Sequence, residues 1–163
     1  LAVFALFIKI GDNMNKSGMI KSSFAILSLL AAQMAAAQSS PTGLWKTIDD
    51  KTGKVKSLVR INETGGEFQG KIEKLFREAD QDQNPKCDKC EGSNKDQPLI
   101  GLTILFNIKK DGDEYSGGKI LDPANGKLYS SKLKLIENNK KLEVRGYVGM
   151  PMFGRTQIWI REE

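Results

Sequence analysis

The sequence predicts an all-β protein: an eight-stranded antiparallel up-and-down barrel, interrupted by one long loop that carries both cysteines. Three observations lead there. From residue 44 onward, short segments alternate apolar and polar residues with the two-residue period of half-buried strands. Turn compositions rich in Gly, Asn and Asp separate them, and tight turns join antiparallel neighbours. Closing eight such strands on themselves removes the edges that an open sheet would leave exposed; a sandwich or half-open sheet is the alternative.

The first strand, Leu44 to Ile48, follows a polar lead-in and ends at Asp49-Asp50-Lys51-Thr52-Gly53, a turn composition. Val55 to Ile61 alternates, with Val55, Val59 and Ile61 on one face. After Gly65-Gly66, the next strand puts Phe68, Gly70 and Ile72 on one face and Gln69, Lys71 and Glu73 on the other. Arg77 to Pro98 is polar and irregular and holds the cysteines; Leu75 to Ala79 can begin it with a helical turn. Ile100 to Ile108 resumes the strands, and Asp111-Gly112-Asp113 turns the chain into Glu114 to Leu121. Asn125-Gly126 predicts a two-residue type I′ turn, because both central residues of that turn need positive φ. Leu128 to Ile136, an Asn138-Asn139 turn, Leu142 to Val148, the loop Met150-Pro151-Met152-Phe153-Gly154 and Arg155 to Arg161 complete the set. Small residues (Gly70, Gly117, Gly146) beside large ones (Phe68, Tyr115, Val144) suit a tapering interior.

The chain divides into three segments. Residues 14–37 read as a secretory signal peptide: basic Met14 to Lys21, an apolar run from Phe24, and Ala35-Ala36-Ala37 as an A-x-A cleavage signal. The run falls short of the ~20 residues that span a bilayer, so no transmembrane segment is expected once the leader is removed. Residues 1–13 are a second apolar run ahead of Met14 and read as a start-site artefact. Residues 38–163 form the single barrel domain. An exported protein of the periplasm, or a secreted one, is the expectation.

Composition narrows the chemistry. The chain contains no histidine, which excludes Ser-His-Asp and Cys-His catalysis and every metal site that needs imidazole. Without residues 1–37 the formal charge falls from +5 to +3, since Lys9, Lys16, Lys21 and Asp12 leave with them. The remaining charges are interspersed along the strands, as on a solvated surface, and form no basic stripe for nucleic acid.

Several motifs, taken together, resemble the bacterial domain-of-unknown-function family 2147. They are Gly43-Leu44-Trp45-Lys46-Thr47, the cysteine loop, Pro98-Leu99-Ile100-Gly101, Gly117 to Pro123 with Gly126-Lys127-Leu128-Tyr129, and Leu142 to Tyr147 with Gly154 to Trp159. The resemblance covers nearly all of residues 38–163. It implies an exported protein with a lipocalin-like (calycin-type) barrel and implies no activity. Gly43-Leu44-Trp45 is also similar to the G-x-W that opens lipocalins, in which the tryptophan plugs the closed end and a last-strand arginine lies across it. On that resemblance Trp45 closes the barrel, with Arg161 or Arg155 as its cation–π partner.

Cys87-Asp88-Lys89-Cys90 has three readings. An oxidising compartment favours a structural disulfide. A redox-active pair wants its first cysteine at a helix N-terminus, which a polar loop around Pro85-Lys86 does not offer. As a metal site, two thiolates make only half of a tetrahedral zinc shell. Asp80, Asp82, Asn84, Asp88 and Glu91 have the spacing of calcium-loop ligands, but Pro85 stands where that loop needs glycine. No metal and no cofactor is expected, and no carboxylate pair stands out as a general acid and base.

The expected function is a non-catalytic binding barrel for a small apolar or amphiphilic ligand or an envelope partner, working as a monomer. Interior-facing Val59, Phe68, Ile104, Phe106 and Tyr115 would line it. Met150, Met152 and Phe153 would form an apolar lid at the mouth or fold inward as a plug. Two alternatives stand beside this: a structural barrel with a filled core, and a thiol–disulfide protein acting through Cys87 and Cys90.

Overall fold

The computed structural model describes residues 40–163; the two leader segments, residues 1–13 and 14–37, lie outside them. The described residues form eight strands: β1 (Gly43–Ile48), β2 (Val55–Thr64), β3 (Glu67–Leu75), β4 (Thr103–Asp111), β5 (Glu114–Asp122), β6 (Lys127–Ile136), β7 (Lys141–Tyr147) and β8 (Gly154–Arg161). Each pairs antiparallel with its sequence neighbours, and β8 returns to β1 through Trp45 opposite Arg161 and Lys46 opposite Ile160. The sheet is therefore a closed up-and-down barrel and not a sandwich. No helix among the described residues is long and apolar enough to cross a membrane.

The strand period sorts the side chains. Trp45, Val59, Ile61, Phe68, Ile108, Leu133 and Leu142 are buried in one apolar cluster that fills the barrel around its β1 start. Charged partners stay on the outer wall, such as Arg60 with Glu73 (2.6 Å) and Lys109 with Glu67 (3.1 Å). Exposed pairs of this kind contribute about 0–1 kcal/mol each, so the barrel rests on its interior.

Local irregularities bend the strands. Asn107 in β4 and Gly117 in β5 both have positive φ (51° and 79°). The kink at Asn107 changes the phase of β4, so that Leu105 and Ile108, three residues apart, are both fully buried, while Phe106 pairs with exposed Lys119. Gly117 is a backbone bend with open space around it. Its neighbour Gly118 is the tightly packed glycine: a Cβ there would lie 2.1 Å from the Phe106 carbonyl oxygen.

The connections differ from the sequence expectation at three places. Leu75 ends β3 and no helical turn follows it; a 3-10 turn instead covers Gly92–Asn94. Ile100 to Leu102 belong to the loop, because Gly101 takes a left-handed conformation (φ 88°) and donates its N–H to the Ile72 carbonyl. The β5–β6 connection is a four-residue turn between paired Asp122 and Lys127, and only Gly126 of its Asn-Gly pair has positive φ. Asp122 supplies what a type I′ turn would have done: its carboxylate accepts from the Ala124 N–H and the Asn125 side-chain amide.

Candidate binding cup and its closed base

An up-and-down barrel sends alternate connections to opposite ends. The N-terminal lead-in, the β2–β3, β4–β5 and β6–β7 turns and the C-terminus share one end. The β1–β2 turn, the cysteine loop, the β5–β6 turn and the β7–β8 loop share the other.

The first end is closed. Trp45 is fully buried and donates its indole N–H to the Pro41 carbonyl at 2.8 Å. The Arg161 guanidinium lies 4.2 Å from the centre of the Trp45 ring. It also donates to the carbonyls of Asn139 (2.7 Å), Thr42 (2.8 Å) and Ser40 (2.8 Å). One side chain thus ties the lead-in, the β6–β7 turn and the last strand together. Burial pushes its pKa down, yet a guanidinium keeps its charge in proteins. Gly43 has a structural reason here: a Cβ would stand 2.6 Å from the Glu163 carbonyl oxygen and 2.8 Å from Arg161 Nη1. Arg155, the alternative partner for Trp45, stands at the opposite end, ion-paired with Asp50, and has no part in this closure.

The second end opens into a cavity of about 830 Å³. Its inner wall includes Thr47, Ser57, Ile72, Ile104, Val144 and Trp159. Thr47 and Ser57 share a 2.7 Å hydrogen bond and are both buried. The rim is formed by the four connections. Met152 and Phe153 line it from the β7–β8 loop and are 70% and 66% exposed, so this loop is neither folded inward as a plug nor closed over the opening. Arg145, from the outer face of β7, holds that loop in place by donating to the Pro151 carbonyl at 2.6 Å.

The rim charges are unevenly occupied. Asp49 caps its own turn through the Thr52 N–H and hydroxyl, and these hydrogen bonds hold its carboxyl below the usual carboxylate range. Asp50 accepts from Arg155 and Gln157, and Asp122 organises the β5–β6 turn. Among the described residues, Lys56, Arg77, Lys86 and Lys89 on the rim form no ion pair with a carboxylate, and Lys89 donates to the Ala124 carbonyl instead.

The sequence-predicted ligand contacts divide sharply. Ile104, Met152 and Phe153 border the cavity. Val59 and Phe68 are packed into the core, and Tyr115 stacks edge-on against Phe68 with ring centres 5.0 Å apart. Burial, with the charge of Glu63 nearby, pushes the Tyr115 phenol up. Phe106 is half-buried on the other phase of β4, and Met150 is exposed outside the cavity lining. Sequence reasoning missed Thr47, Ser57 and Trp159. The signal was present in parity: Thr47 lies two residues from Trp45, and Trp159 two residues from Arg161, so each shares the inward face of its neighbour.

Cys87 and Cys90 form a disulfide with a Cα–Cα distance of 5.3 Å. Both are buried, at 0% and 3% exposure, which shields the sulfurs from the thiolate attack that exchange chemistry requires. The bond pins the loop against the β5–β6 turn, where Lys89 Nζ donates to the Ala124 carbonyl at 3.1 Å. The Gly126 Cα faces the Lys89 carbonyl so closely that a Cβ would fall 1.8 Å from it. The calcium-like spacing gathers no cage: among the described residues no three acidic or cysteine side chains converge. Replacing both cysteines with serine is expected to keep the barrel's circular-dichroism spectrum and cost about 2 kcal/mol, the entropy of so small a ring. Limited proteolysis should then cut within residues 80–97, where the intact protein resists; unchanged resistance would show that the disulfide does not secure the loop.

A family model described as "Uncharacterized protein conserved in bacteria (DUF2147)" matches residues 43–161. No curated protein matches the chain. Among solved structures, Helicobacter pylori protein HP1028, described as belonging to the lipocalin family, superposes with a TM-score of 0.63 at 21% identity. The likeness covers 76% of this chain and 84% of that one, and at this identity it shows a shared fold.

Proposed function

The chain belongs to the DUF2147 family of uncharacterised bacterial proteins, and we propose that it is a non-catalytic binding barrel that holds a small apolar or amphiphilic molecule. One observation carries this reading. The barrel is packed solid at the Trp45 end and hollow at the other, where about 830 Å³ opens between mixed apolar and polar walls. That volume lies within the range of small-molecule sites, and barrel mouths are a recurrent place for them. A purely structural barrel has no need of such a space. Export belongs to the same proposal: the leader composition of residues 14–37 and the disulfide both suit an oxidising compartment outside the cytoplasm.

The test is a fluorescence titration with N-phenyl-1-naphthylamine, a neutral apolar probe. The protein should take it up saturably with one site per chain. Gln157 lines the cavity and is half-buried, so Gln157→Trp places a large ring in the opening. This variant should weaken uptake by about tenfold or more while melting near the parent temperature. A parent protein that shows no saturable uptake would refute the reading.

A further inference from the structure

The mouth of the cup has two unlike sides. Around the closed barrel the β3–β4 loop and the β7–β8 loop stand opposite one another, with the β1–β2 and β5–β6 turns between them. On the β7–β8 side, Val148 to Phe153 carries no charge, and Val148, Met152 and Phe153 border the cavity while exposed. The other side is cationic. Arg77 and Lys86 of the β3–β4 loop are exposed and border the cavity, and among the described residues neither side chain has a hydrogen-bond or ion-pair partner. Lys56 belongs to the same side: its carbonyl accepts from the Phe76 N–H at 2.9 Å, one residue before Arg77. Lys89 borders the cavity too, with its ammonium on the Ala124 carbonyl. The disulfide secures this side, since Lys86 and Lys89 each precede one of its cysteines.

The carboxylates that border the cavity are mostly engaged elsewhere. Asp49 is held by the Thr52 N–H and hydroxyl, with the charge of Lys56 a smaller influence on it. Asp50 accepts from Arg155 and Gln157, and Asp122 from its own turn. Among the described residues, Asp88 is left to stand against Arg77, Lys86 and Lys89. The other acids of the loop do not border the cavity; Glu78 pairs with Lys54 at 2.8 Å and Asp96 with Lys95 at 3.6 Å.

Deeper in, the wall of Ile72, Ile104, Val144 and Trp159 is uncharged, and no charged side chain that lines the cavity is buried. An ionised head carried there would lose its hydration and meet no counter-charge. At the mouth the same head keeps part of its water. It also meets the Arg77 guanidinium, whose fork suits oxyanions, and the Lys86 ammonium.

We propose that the Arg77 and Lys86 side of the mouth binds the anionic head of a single-chain amphiphile, whose chain runs inward along Ile72, Ile104 and Val144. The inference rests on the binding-barrel reading and adds the sign of the head and the end at which it stays.

The experiment measures displacement of N-phenyl-1-naphthylamine at neutral pH by decanoate, decan-1-ol and decyltrimethylammonium, which share a chain and differ in head charge. Decanoate should bind about tenfold more tightly than the ammonium. Arg77→Gln combined with Lys86→Gln keeps long polar side chains and removes both charges. Decanoate should then weaken about threefold to tenfold relative to decan-1-ol. Asp88→Asn should act the other way and tighten decanoate about twofold. In the unmodified protein, raising the salt from about 0.01 M to about 1 M should weaken decanoate relative to decan-1-ol, a readout that needs no variant.

Decanoate whose affinity relative to decan-1-ol ignores either the double substitution or the salt overturns the proposal. So does decyltrimethylammonium that binds as tightly as decanoate. If the unmodified protein takes up neither naphthylamine nor any of the competitors, the binding-barrel reading falls as well. Uptake of naphthylamine and decan-1-ol with no preference for the anionic head removes the head site alone.

Discussion

Arg161→Met is expected to destabilise the protein by about 3 kcal/mol, lowering its melting temperature by about 10 °C. The substitution keeps an unbranched apolar stem over Trp45 and removes the guanidinium. Three half-buried carbonyls, from Ser40, Thr42 and Asn139, then lose their donor, and the Trp45 ring loses the cation 4.2 Å away. Hydrogen bonds to a charged group are worth more than neutral ones, and unpaired buried acceptors cost more than a lost pair. Arg161→Lys should recover little, because an ammonium cannot reach three carbonyls in different directions from one position. Naphthylamine uptake at the opposite end should survive in both variants. A melting temperature within about 2 °C of the parent would mean that the arginine decorates the closed end without holding it.

Gly118→Ala is expected to cost about 3 kcal/mol, at the upper end of overpacking penalties. The new methyl would meet the Phe106 carbonyl oxygen at 2.1 Å and the Ile108 nitrogen at 2.7 Å. Both are backbone atoms, so no side chain can rotate away and β4 itself must move. Gly117→Ala works differently. Nothing lies near its missing Cβ, and only the positive φ of 79° penalises a side chain there, so about 1 kcal/mol is expected. Thermal unfolding of the two single variants separates packing from conformation. Equal losses would contradict the assignment of the close contact to Gly118.

This pair of glycines marks a limit of what the sequence reveals. Alternation and turn composition were enough to read eight strands and their closure, because the two-residue period is written in side-chain polarity. A Gly-Gly dipeptide does not say which residue bends and which is crowded. Neither the register shift of β4 against β3 between Thr103 and Leu105 nor the positive φ of Asn107 is written in side-chain polarity, so Phe106 reads as inward although it pairs with exposed Lys119. Gly43 and Trp45 were legible as a motif, but the reason for the glycine, the passage of Arg161 and the Glu163 carbonyl, exists only once the last strand returns to the first.

The site was legible in part. The cysteine loop follows β3 and the methionine loop follows β7. Both follow odd-numbered strands, so chain parity alone places them at one end of an up-and-down barrel. What parity cannot provide is how deep the packing reaches. Val59, Phe68 and Tyr115 face inward as the pattern implies, yet they belong to the filled half; Thr47 and Ser57 look like ordinary strand polar residues until the space beside them is seen. Their neighbour Trp159, read as one more apolar strand residue, also borders that space.

On the reading proposed above, the hollow end of this barrel holds a small molecule. Native mass spectrometry of the protein purified from the cells that make it tests this most directly. The expected spectrum shows one chain carrying an additional mass of a few hundred daltons that a mild organic wash removes, with the wash yielding an apolar or amphiphilic molecule. A spectrum of the bare chain alone, from protein that also refuses added naphthylamine, would contradict this.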